Sequence, residues 1–172
     1  MKKGIVFVLF VCVVLSGIAF FTTDVAAKND KFEAVVGVQI LDADNPNEVG
    51  TTWLSDGNIM HHRDYVYLWH ATSDDLELQG DNYVDFNANL KVGAEGTNGR
   101  MWGKFTFELT AGGSWEGSWQ GVHVNGVQSG VVVGKGFGGI VEGKKLKLYF
   151  KQRPGLPIVD LEGTVLNPGG KH

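Results

Sequence analysis

Apolar and polar residues alternate from Lys31 almost to the end of the chain, and no stretch shows a helical period. Successive side chains on a strand point to opposite faces, so this pattern means half-buried sheet. From Lys31 to Leu41, the residues Phe32, Ala34, Val36, Val38 and Ile40 fall on one side. From Tyr83 to Val92, Val84, Phe86, Ala88, Leu90 and Val92 oppose Tyr83, Asp85, Asn87, Asn89 and Lys91. Met101–Thr110 sets Met101, Phe105, Phe107 and Leu109 against Trp102, Lys104, Thr106 and Glu108. Lys144–Phe150 alternates again, and Ile158–Leu166 reads as the last strand.

The gaps carry turn chemistry. Asp56-Gly57 and Asn125-Gly126 tolerate the positive φ of two-residue hairpin turns. Asp81-Asn82, Asn98-Gly99, Ala111–Ser114 and Arg153-Pro154-Gly155 mark further turns. About eight or nine strands follow, with no internal linker. The expected fold is all-β, a single antiparallel up-and-down β-barrel of about eight strands, with a two-sheet β-sandwich as the alternative. Glycine favours the barrel. Residues 93–143 hold 15 of the 25 glycines, several inside apparent strands, where strong bending or a bulky neighbour across the backbone best explains them.

Two hairpins allow a register. A four-residue turn at Ala111–Ser114 pairs Thr110 with Trp115 and Trp102 with His123. A two-residue turn at Asn125-Gly126 pairs Val124 with Val127 and Trp119 with Val132. Phe105, Phe107, Leu109, Val122, Val124, Val127, Val131 and Val133 then share the core face. Trp102, Trp115, Trp119 and His123 share the other, with Gly117, Gly121 and Gly130 beneath the indoles. A one-residue slip would reverse the faces.

Ahead of the sheet, Met1-Lys2-Lys3 is followed by 18 apolar-rich residues from Gly4 to Phe21 and the small residues Val25-Ala26-Ala27. These are the parts of a cleavable export signal over residues 1–27, which leaves 28–172 as a single β-barrel domain outside the cytoplasm, secreted or periplasmic, with no membrane attachment after cleavage. The one cysteine, Cys12, lies within the apolar run, so the mature domain forms no disulfide. Without Lys2, Lys3 and Asp24, 13 basic and 18 acidic residues remain of 15 and 19, a net charge of −5. An acidic domain of this kind is a poor match for nucleic acid.

Gly134-Lys135-Gly136-Phe137-Gly138-Gly139, then Val141-Glu142-Gly143 and an alternating strand, resembles small calycin-like barrels related to allene oxide cyclase, including a group of uncharacterised bacterial secreted proteins. The resemblance covers the C-terminal half. It implies an eight-stranded antiparallel barrel with an apolar cavity, in which some family members turn over or guide lipid-like or phenolic substrates. It transfers no catalytic residue.

Other motifs have plainer readings. Gly134-x-Gly136-x-x-Gly139 matches a dinucleotide fingerprint but lacks the helix N-terminus that would receive a pyrophosphate, so no cofactor is expected. On one strand His61 and His62 point to opposite faces, and His62 and His70 share a face roughly 26 Å apart at about 3.3 Å per residue, so no metal site is expected. Asp42–Glu48 has an acidic, calcium-like look, but Pro46 and Asn47 take the places of a ligand and a glycine in the helix-flanked calcium loop, and a solvated turn accounts for it.

Trp102, Trp115, Trp119 and His123 are the candidate ligand-binding residues. Indoles beside Asp85, Asn87 and Asn89 can stack on sugar rings; they can equally close a barrel wall over the glycines. His123 is a base in search of a substrate, and no serine has a nucleophile-elbow context. The leading function is a non-catalytic barrel that takes a small apolar or amphiphilic molecule into its interior. A cyclase or isomerase using the same cavity, and a carbohydrate- or partner-binding module using the tryptophan face, stand beside it. Sheet edges and aromatic faces also allow oligomers.

Overall fold

The computed structural model describes residues 31–42, 50–94 and 96–168. Residues 1–27, read above as an export signal, and most of the acidic Asp42–Glu48 segment lie outside the described residues.

Nine strands follow in chain order: β1 (Lys31–Leu41), β2 (Thr51–Ser55), β3 (Ile59–Thr72), β4 (Gly80–Gly93), β5 (Gly96–Leu109), β6 (Ser114–Val124), β7 (Val127–Phe137), β8 (Lys145–Gln152) and β9 (Ile158–Asn167). The pairing order is β1-β9-β8-β7-β6-β5-β4-β3-β2, every pair antiparallel. A further pairing of β1 with the C-terminal half of β3 closes a ring of eight strands. β2 lies outside the ring, beside the N-terminal half of β3, with all five of its residues exposed.

The turn signals divide. Asn125 (φ 49°) and Gly126 (φ 83°) make the two-residue turn, and β6 pairs with β7 as the sequence suggested, Val124 opposite Val127 and Trp119 opposite Val132. Asp56-Gly57 turns too, but with Asn58 (φ 58°) in a three-residue loop between the paired Ser55 and Ile59 rather than a two-residue one, and Pro154-Gly155 also turns. Asp81-Asn82 and Asn98-Gly99 do not: both pairs lie inside strands, β4 and β5. The chain reverses earlier in each case, before Gly80 and around Gly93–Gly96, where Gly80 and Gly96 have positive φ.

The β5–β6 register is a correction. Phe107 opposes Trp115, and Trp102 opposes Gln120 rather than His123. Gly112 (φ 89°) and Gly113 (φ 91°) curl the chain back directly after Leu109, whose N–H bonds to the Gly113 carbonyl. Thr110 thereby joins the turn and Ser114 the strand, and the odd shift exchanges the faces of β6. Trp115 and Trp119 point inward with Phe105, Phe107 and Leu109, all buried, while Val122, Val124 and Val133 face outward. Trp102 stays on the outer face, parted from the other two tryptophans.

A bulge in β3 makes a second correction. Register shifts between His62 and Tyr65, with Asp64 at φ 59°. His62 lies on the inner face, next to Phe86, and after the bulge Tyr67 and Trp69 take that face, so His70 points outward. In β1 the stripe Phe32, Val36, Ile40 faces solvent, because Val35 and Gln39 fill the interior.

One end of the barrel is filled. Short 3-10 turns at Leu76–Leu78 and Gly139–Val141 plug it, and Leu78, Trp115 and Val141 are fully buried there. The Trp115 indole N–H bonds to the Glu77 carbonyl at 2.8 Å, and the Glu77 carboxylate pairs with Lys144. The other end holds the site.

Candidate functional site

The interior towards the β6–β7 and β8–β9 turns is open. A cavity of about 450 Å³ lies there, reaching up to Gly126 of one turn and Gly155, Leu156 and Pro157 of the other. That is within the range of small-molecule pockets, roughly 300–1,000 Å³.

Its wall is an aromatic ladder from four strands, β3, β4, β6 and β8. Tyr67 meets Phe86 edge-on at 5.5 Å, Phe86 stacks on Trp119 at 5.9 Å, and Trp119 meets Phe150 edge-on at 5.9 Å. The polar edge of Trp119 is turned away from the cavity's needs, since its N–H donates to the Asp85 carbonyl at 3.0 Å. Its ring is left as apolar wall.

The glycines of β6 and β7 let this wall close. Gly117 opposes Gly134, and Gly121 opposes Gly130. A methyl group placed on Gly117 or Gly134 would lie 2.9 or 2.8 Å from the Phe105 ring, and one on Gly121 or Gly130 would lie 2.9 or 2.6 Å from Phe150. Each pair is a seat for one phenylalanine. The sequence suggested that these glycines underlie tryptophans; among the strand glycines it is Gly103 that meets an indole, that of Trp119.

The polar side chains on the wall are four amides, beside the Tyr67 hydroxyl. Gln39, Asn82, Gln128 and Gln152 line the cavity, and among its described lining residues there is no Asp, Glu, Lys, Arg or His. Gln39 and Asn82 are 7% and 8% exposed. They are joined by a long bond of 3.4 Å, Asn82 Nδ2 donating to Gln39 Oε1, and Asn82 Oδ1 has no donor. Burying an acceptor in that state costs about 1–3 kcal/mol.

No protein-family model matches this chain, and no curated protein matches its sequence. The reading of the site therefore stands on its geometry.

Of the four residues singled out from sequence, Trp119 lines the cavity. Trp115 is buried in the plugged end. His123 serves the β6–β7 turn: its Nε2 accepts from the Gly126 N–H at 3.2 Å and lies 3.0 Å from the Thr97 hydroxyl. Burial pushes its pKa down, which favours the neutral ring that can accept. Trp102, 38% exposed, lies outside, where the Arg63 guanidinium sits 5.0 Å from its ring and 5.5 Å from that of Trp53. Arg63 is held by the His62 and Ala88 carbonyls and by Asn89.

Among the described residues no three of His, Cys, Asp and Glu cluster as metal ligands would. His61 stacks on Trp53, and His62 bonds to Thr52 at 2.9 Å. His70 lies between Asp81 at 2.7 Å and Asp42 at 3.4 Å.

Sequence reasoning missed Tyr67, Trp69, Gln39 and Asn82 as cavity residues. Alternation had put Val84 and Phe86 on one face, and both do line the interior. The bulge at Asp64 hid the β3 residues, and the turn-like dipeptide Asp81-Asn82 hid the amide.

Proposed function

We propose that the mature domain is an exported, non-catalytic barrel that binds a small apolar or amphiphilic molecule in its interior. The carrying observation is the 450 Å³ cavity with an aromatic wall and no charged side chain on it. Burial of apolar surface supplies the affinity, and four amides offer neutral hydrogen bonds. Among the described lining residues no carboxylate, imidazole, thiol or amine stands beside the Tyr67 phenol, so this lining supports holding a ligand better than turning one over by acid–base chemistry. The Gly134–Gly143 resemblance to cavity-bearing barrels agrees with this reading, and the basic, apolar and small-residue pattern of residues 1–27 supports export.

N-phenyl-1-naphthylamine, a neutral dye that brightens in apolar surroundings, tests it. The protein should enhance its emission saturably with one site per chain and quench the lining tryptophans Trp69 and Trp119, and Trp69→Phe with Trp119→Phe should remove most of the energy transfer. Linear, unsaturable enhancement would contradict interior binding. Mass spectrometry of small molecules that co-purify with natively exported protein would then name the occupant.

A second reading has its own observation. Trp53 and Trp102 are 46% and 38% exposed on the outer surface, and Trp102 is flanked across the sheet by Asn87 and Gln120. An indole between amides is a surface on which a sugar ring can stack and bond. Titration with soluble oligosaccharides, comparing wild type with Trp102→Ala, decides it: no saturable, Trp102-dependent change in tryptophan emission removes the reading.

A further inference from the structure

We infer that the cavity selects an uncharged ligand that carries a hydrogen-bond donor, a hydroxyl or N–H, received by the Gln39–Asn82 pair. The inference rests on interior binding and adds the chemical class.

An aromatic and aliphatic pocket that only excluded water would be better served by apolar residues at these two positions. Instead, two amides more than nine-tenths buried stand on the wall, contributed by β1 and β4 on either side of β3. Their mutual bond is at the long end of the hydrogen-bond range at 3.4 Å, and it leaves Asn82 Oδ1 unmet. The missing partner is a donor. Asn82 is part of the lining, so a ligand in the cavity can bring that donor within reach of a small rotation of the amide.

The lining also excludes charge. Among the described residues no cationic side chain lines the cavity to meet a carboxylate or phosphate, and no anionic one to meet an amine. An ion moved into such surroundings loses its hydration without compensation. The occupant is therefore neutral, apolar over most of its surface, and a donor at one point.

Matched probes read this directly, by displacement of bound N-phenyl-1-naphthylamine. Indole and benzofuran have nearly the same shape and differ in N–H against ring oxygen. Wild-type protein should prefer indole by roughly tenfold, the scale of one buried hydrogen bond that would otherwise go unmade. Asn82→Leu should abolish that preference, the two probes binding it equally. 2-Naphthamide should displace the dye at neutral pH and 2-naphthoate should not. Equal affinity for indole and benzofuran in wild type would overturn the donor assignment while leaving interior binding intact. So would an Asn82→Leu variant that weakens both alike, which would make Asn82 a shaping residue. Equal binding of the carboxylate would overturn neutrality. If no probe displaces the dye, interior binding falls and the inference with it. The wild-type comparison stands even if Asn82→Leu fails to fold.

Discussion

Gly121 shows how a single hydrogen atom in place of a side chain decides the wall. A valine there gains strand propensity of up to about 1 kcal/mol over glycine. Against that, its Cβ would lie 2.5 Å from the Ser129 carbonyl oxygen on β7 and 2.9 Å from the Phe150 ring. Backbone cannot retreat as a flexible side chain can, and overpacking costs about 1–3 kcal/mol. The second effect wins. Gly121→Val should lower the urea midpoint, and it should cost less in a Phe150→Ala background than in wild type because the ring is half of the clash. A Gly121→Val protein as stable as wild type would mean that Phe150 does not occupy its seat. The presence of strained glycines in strands was legible in the sequence, but their coverings were not. Phe105 and Phe150 reach them from β5 and β8, and which ring meets which glycine depends on a register that glycines themselves set at Gly112-Gly113.

Among the elements, β3 carries both the least legible feature and the clearest pH response. Its bulge reverses the alternation between His62 and Tyr65, so period-two reading fails from that point. By contrast Asn125-Gly126 specified the β6–β7 register outright, because both residues must take positive φ. Beyond the bulge, His70 ties β3 to Asp81 of β4 and to Asp42 just after β1. The hydrogen bond to Asp81 is the largest cause that raises its pKa above the ordinary value near 6.5, with Asp42 adding to it. A raised folded pKa means that the contact stabilises the fold fully below the unfolded value and loses this effect as pH rises through the folded one. His70→Gln should therefore lower the urea midpoint at pH 5.5 and leave it unchanged at pH 8.5. The side chain is half-exposed, so the acidic difference should shrink in 1 M NaCl. A loss of equal size at both pH values would show that His70 acts by packing and not by charge.

The whole molecule divides into a packed end and a hollow end within one ring of strands, and that division is what gives it a site. Its β class and its single antiparallel sheet follow from alternation and turn spacing. The cavity does not, because it arises where inner residues of all eight ring strands leave space between them, a property of the strands closing together. Val132 of β7 stands at this boundary, lining the cavity while packing against the buried clusters on both sides. Replacing it with phenylalanine separates the two regimes. In a filled core the added ring would cost about 1–3 kcal/mol. Pointed into 450 Å³ of open interior, it instead buries apolar surface at about 25 cal/mol per Å². Val132→Phe should thus leave the unliganded protein as stable as wild type or more so, while N-phenyl-1-naphthylamine affinity falls at least tenfold because the ring takes the ligand's place. Ligand linkage gives a second measure: at a hundredfold excess over its Kd the dye should stabilise wild type by about 2.7 kcal/mol and the variant far less. Stability gained where binding is lost is the expected mark of a space kept open for a ligand. A variant that is destabilised yet still binds the dye would place the dye elsewhere on the molecule and make this region ordinary core.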